Sequence, residues 1–164
     1  MNIFKTLIPV WLILSGSAFA ASNFNINLHV KLIVPPCAIV GDSVINVDLG
    51  KVNAADLDSQ PYTHFALALQ DCPAGMPEVA LQFSGETAGD ANQFIKNTGS
   101  ASNVAIELKD NADDKRITSG SSISRTITAD KTANFDMKAK MVPLGGDIAG
   151  GTVKGVVEFT MFYP

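Results

Sequence analysis

The chain has 164 residues, with 12 Lys and Arg against 16 Asp and Glu for a net charge of −4, 46% hydrophobic residues and two cysteines. Its basic residues are scattered and the balance is acidic, which excludes the electrostatic footprint of a nucleic-acid binder. Past the first 20 residues no run approaches the ~20 apolar positions that cross a bilayer, so no direct membrane insertion is expected.

Residues 1–20 read as a signal peptide. Lys5 supplies the positive start, residues 7–14 the apolar core, and Ala18-Phe19-Ala20 an A-x-A cleavage site. Roughly 144 residues remain, enough for one domain with a real core and too few for two. In an exported chain, Cys37 and Cys72 are expected to form a disulfide, closing a loop worth about 4 kcal/mol in the chain-entropy account. Two reduced structural cysteines are the alternative. His29 and His64 do not supply the partners of a metal site, and no cofactor is expected.

The first element after the leader spans residues 23–34. Phe24, Ile26, Leu28, Val30 and Leu32 alternate with Asn25, Asn27, His29 and Lys31, the period of a strand with one apolar face. At about 1.5–3 kcal/mol per buried side chain, a groove that covered this face would gain much binding energy. Pro35-Pro36 removes two backbone donors and sets the extension, residues 21–36, apart from the domain at 37–164.

Within that domain, Ile45, Val47 and Leu49 alternate with Asn46 and Asp48 up to Gly50, predicting a strand. Residues 53–60 suit a single helical turn before Pro61. Phe65, Leu67 and Leu69 alternate with alanines, and Val79, Leu81 and Phe83 give the next strand, stopped at Ser84-Gly85. Residues 86–103 are rich in Gly, Ala, Asn and Thr and read mostly as loop, with a short pairing at the centre. Val104, Ile106 and Leu108 resume the alternation, and Ile117, Ile123 and Ile127 mark weaker strands. Phe135, Met137, Ala139 and Met141 form a strand that ends at Pro143 and Gly145-Gly146. Finally Val153, Gly155, Val157, Phe159, Met161 and Tyr163 share one face of a strand opened by Gly150-Gly151. Short strands with turns between them and no helix of ordinary length define an all-β sandwich.

The order of these stretches resembles the pilin subunits of the chaperone–usher pathway, the type 1 and P-pilus-like fimbrial proteins, over the whole chain after the leader. The resemblance rests on the alternating extension before Pro35-Pro36-Cys37, on Ile45-Asn46-Val47-Asp48-Leu49-Gly50-Lys51-Val52, on Asp71-Cys72-Pro73 and on Phe83-Ser84-Gly85. It rests further on Asn103-Val104-Ala105-Ile106-Glu107-Leu108, on Gly151 ahead of the alternating C-terminal residues and on the penultimate Tyr163.

That resemblance implies an incomplete immunoglobulin-like β-sandwich lacking its final strand, with a groove along the C-terminal strand and an N-terminal donor-strand extension. By the same resemblance a periplasmic chaperone lends a strand beside Gly151, Val153, Val157, Phe159, Met161 and Tyr163. At the outer-membrane usher, the extension of a neighbouring pilin subunit replaces it. The mode is β-strand addition, for which pilins are a known example. Phe24, Ile26, Leu28, Val30 and Leu32 would be the anchors donated in turn. Many such subunits carry a glycine where this chain has Val30, implying either a deeper receiving groove or a displaced register. The short approach to Cys37 is closer to minor tip or adaptor subunits than to rod-forming ones. The expected product is exported through the periplasm to a fimbrium on the bacterial cell surface, where it contributes to adhesion.

An autonomous extracellular carbohydrate-binding sandwich is the alternative. Trp11 lies in the leader, Tyr62 is a poor stacking platform and Tyr163 belongs to the terminal strand. Enzymatic activity is not expected: Glu78, Glu86, Asp110, Asp113 and Asp114 fall mostly in turn-like sequence, and neither histidine has triad partners.

Overall fold

The computed structural model describes residues 36–164, which form nine strands and two short 3-10 segments. The strands are β1 (Ala38–Ile39), β2 (Thr63–Gln70), β3 (Glu78–Ser84), β4 (Thr87–Ala88), β5 (Phe94–Lys96), β6 (Val104–Asp110), β7 (Ser122–Thr126), β8 (Ala133–Pro143) and β9 (Glu158–Phe162). All pairings between them are antiparallel. One sheet runs β1-β2-β8-β6-β5-β4 and the other β7-β3-β9.

Period-two alternation explains how the sheets face each other. β8 is the longest strand and lies between β2 and β6; its Ala133, Phe135, Met137, Ala139 and Met141 point inward and are buried, while Asn134 and Asp136 face out. Leu67 and Leu69 of β2 meet Val79, Leu81 and Phe83 of β3 and Ile123 of β7 in one core. A second, smaller cluster of Leu57, Val104 and Met141 sits under the 3-10 segment Ala54–Ser59, the helical turn expected before Pro61. Of the weak strands expected around Ile117, Ile123 and Ile127, only β7 forms. The loop at 86–103 contains the short β4–β5 pairing.

The Cys37–Cys72 disulfide is formed, and both cysteines are buried. It joins the chain just before β1 to the end of β2, whose Gln70 and Leu69 pair with Ala38 and Ile39.

Two buried carboxylates were not legible as such in the sequence. Glu107 accepts from the Tyr62 hydroxyl at 2.5 Å and from Arg116 Nη2 at 2.6 Å, and Arg116 also donates to Gln93. Asp110, read as a surface charge, is paired with Arg125, which lies over the Phe135 ring. Burial by itself would push the Glu107 carboxyl up, but the Tyr62 and Arg116 hydrogen bonds and the nearby Lys109 charge outweigh it and hold the pKa below the ordinary carboxylate range. A depressed carboxyl contributes stability that is complete above its unfolded pKa and is lost as pH falls through the folded one. Urea midpoints measured from neutral pH down through the carboxylate range should therefore fall less steeply for Glu107→Gln than for the wild type. Parallel acid limbs would show that this network does not couple to folding.

Candidate functional site: an apolar groove between two unpaired rims

β9 is the edge strand of its sheet, and the chain just before it, residues 148–157, runs beside a groove of about 1520 Å³. The facing rim is residues 43–52, and the floor includes Phe65 and Leu67 of β2, Ile106 and Leu108 of β6, and Met137 and Met141 of β8. These floor residues are the inward positions of their strands, so the groove opens directly onto the core.

Residues 45–49 do not form the strand that their alternation predicts, and the expected C-terminal strand is ordered as a ladder only over Glu158–Phe162. The physical reason is common to both. Among the described residues, the backbone of 43–48 makes no hydrogen bond, and neither does that of 155–157. The sequence carries the period of a strand, but among the described residues no neighbouring strand lies alongside 43–48 or 155–157 to complete the ladder. At its far end the first rim is held by Gln60, whose Nε2 donates to the Leu49 carbonyl at 2.9 Å while its Oε1 accepts from Met141 N. Large apolar side chains stand exposed on both rims: Val44 is 67% exposed and Val156 70%. Long apolar edges of this kind recruit another chain unless they are covered.

Every C-terminal residue singled out in the sequence lies on this rim or its continuation. Val157, Phe159, Met161 and Tyr163 are half-buried against the main core, and Val153 packs on the smaller cluster. Phe159 also meets Phe83, with ring centroids 6.4 Å apart. The Tyr163 hydroxyl donates to Cys37 Sγ at 3.6 Å, tying the last strand to the disulfide. Gly151 is exposed, and a Cβ there would come within 2.6 Å of Ala101 N, so the close approach of these two backbones requires a glycine. Phe24, Ile26, Leu28, Val30 and Leu32 lie outside the described residues. Gln60 was missed because a lone polar residue ahead of a proline carries no signal of the two distant segments that it bridges.

Tyr62 is occupied rather than open. Its hydroxyl is bonded to Glu107, and Lys109, Lys138 and Lys140 lie 5.6, 5.1 and 5.0 Å from its ring centre. Among the described residues no group of three or more His, Cys, Asp or Glu could hold a metal, and no helix is long and apolar enough to cross a membrane.

This two-sheet sandwich with an open edge groove is the fold of pilus subunits. The crystal structure of the P pilus rod subunit PapA superposes with a TM-score of 0.68 at 18% identity, covering 79% of this chain and 100% of PapA. The P pilus adaptor subunit PapF gives 0.58 at 20% identity, covering 80% and 98%. In sequence, the chain is 28% identical to Protein FimG of Escherichia coli strain K12 over 156 residues, 93% of this chain and 92% of FimG. Residues 24–163 match the family described as Fimbrial protein. The chain belongs to that family and is a pilus subunit of the chaperone–usher class, carried in surface fimbriae.

Proposed function

We propose that the chain is a minor tip or adaptor subunit that both accepts and donates a strand. A periplasmic chaperone fills the groove first, and the extension of a neighbouring subunit replaces it at the outer-membrane usher. The observation that carries this reading is the pair of unpaired backbone rims, 43–48 and 155–157, over an apolar floor. A strand laid between them would gain main-chain bonds on both sides and bury alternate side chains below. In this reading residues 1–20 are a leader that is removed, 21–36 the donated extension with Phe24, Ile26, Leu28, Val30 and Leu32 as anchors, and 37–164 the accepting domain. The short Pro35-Pro36-Cys37 approach supports the minor role. The protein works by assembly, without turnover.

Deleting residues 24–32 should leave a chain that still co-purifies with its chaperone but is absent from fibres as a link between two other subunits. Immunogold labelling of fibres carrying the deletion between two normal neighbours would remove the donor assignment.

A further inference from the structure

The two rims of the groove are not equally free. Residues 149–154 are fastened to the loop 97–102, which joins β5 to β6. Three backbone amides of the rim donate to side-chain oxygens of the loop: Lys154 N to Asn97 Oδ1 at 2.9 Å, Thr152 N to Ser100 Oγ at 2.9 Å, and Ala149 N to Ser102 Oγ at 3.2 Å. In return, Thr98 N donates to Lys154 O at 2.8 Å, Ala101 N to Thr152 O at 3.0 Å, and Ser100 N to Thr152 Oγ1 at 3.1 Å. Asn97 is itself fixed, accepting from Gly99 N and donating to Ala101 O, both at 2.8 Å. The backbones meet so closely that a Cβ at Gly99 would lie 2.1 Å from Thr152 O.

Among the described residues no strand is laid along this side of the groove, so the backbone groups of the rim need other partners. Here the side chains and backbone amides of a neighbouring loop together support 149–154, and the support stops at Lys154. Beyond it, 155–157 makes no backbone bond among the described residues until β9 pairs with β3 at Glu158.

Resting on the strand-accepting reading above, we infer that Asn97, Ser100 and Thr152 form a polar clamp that holds the 149–154 rim in strand-ready shape in the unfilled subunit. They are positioning residues for strand acceptance. The clamp lowers the ordering cost that an incoming strand would otherwise meet, and so acts on the rate of capture. It also places the stretch left for new main-chain pairing at 155–157.

The test uses the full chain as wild type, the double variant Asn97→Ala with Ser100→Ala, which removes the acceptors of Lys154 N and Thr152 N, and the conservative Thr152→Ser, which keeps the hydroxyl. Amide hydrogen exchange of the unfilled chain should quicken about tenfold at Thr152 and Lys154 in the double variant and stay near wild type in Thr152→Ser. The urea midpoint should move little, because the bonds are at the surface. A fluorescein-labelled peptide of residues 23–34 should associate about tenfold more slowly with the double variant and dissociate at an unchanged rate. Unchanged exchange would overturn the clamp. Faster exchange with an unchanged association rate would overturn its positioning role. A wild-type chain that captures neither this peptide nor a chaperone would remove the strand-accepting reading, and the positioning role with it. Exchange alone would still report whether the clamp forms, so the two failures are separable.

Discussion

Val157→Asp should, on the proposed strand-accepting reading, weaken binding of a periplasmic chaperone by at least about 100-fold, because it sets a charge where an inserted strand would seal it from water at a cost of several kcal/mol. Val157 is half-buried on the inner face of the rim, packed against the main core and lining the groove. Its neighbour Glu158 faces outward and is exposed. Glu158→Lys should therefore change affinity by no more than about twofold, since exposed charges contribute little. The contrast between adjacent residues follows from the two-residue period of a strand, and a titration of the purified variants against chaperone reads it directly. Equal binding by Val157→Asp and wild type would mean that the lent strand does not enter along this rim. The unfilled variant should remain folded by far-ultraviolet circular dichroism, because position 157 then still reaches water in the open groove.

The second large effect is that of the disulfide. Replacing both cysteines, Cys37→Ser with Cys72→Ser, should lower unfolding free energy by about 4 kcal/mol, the loop-closure value for a sequence separation of 35. Against a typical total of about 5–15 kcal/mol, that is enough to cut the yield of exported subunit severely. Packing adds a local reason. β1 has only two residues, both paired with the end of β2, and beyond it the 43–48 rim has no backbone bond among the described residues. The bridge from Cys37 to Cys72 fastens the near end of this wall of the groove to the sheet, as Gln60 holds its far end, and the Tyr163 hydroxyl reaches the same sulfur from the last strand. Urea unfolding of the double variant and quantification of periplasmic subunit give the two readouts. A variant as stable and as well exported as wild type would show that β1 and Gln60 secure the wall without the bridge.

The stretches legible in advance share one property. β2, β3, β6 and β8 each alternate large apolar residues with small or polar ones, and each has a strand on both sides. The inner faces read from Leu67, Leu81, Leu108 and Phe135 are buried as expected. Residues 45–49 and 151–157 carry the same alternation, yet they form no ladder. Alternation records which face of a segment meets the core; it does not record whether a neighbour is present to pair with its edge. Asp110 shows the opposite failure. In sequence it is one of several acids near a turn, and its burial depends on Arg125, brought across from β7. The clamp escaped notice for the same reason: Asn97 and Ser100 sit in a polar loop whose partners are more than fifty residues away.

By itself the sequence determined the sandwich class, the pairing of the only two cysteines and the apolar face of the C-terminal strand, because local period and composition encode burial. It also carried the family, through the order of short motifs between Cys37 and Tyr163. Only the tertiary structure decided where the ladder stops, which side chains fasten each rim and which carboxylates are buried. Those outcomes depend on hydrogen bonds between segments far apart in the chain, such as Gln60 with Leu49 and Met141, and Asn97 with Lys154. No local pattern specifies such bonds, since a polar side chain finds its partner only once the sheets have placed it there.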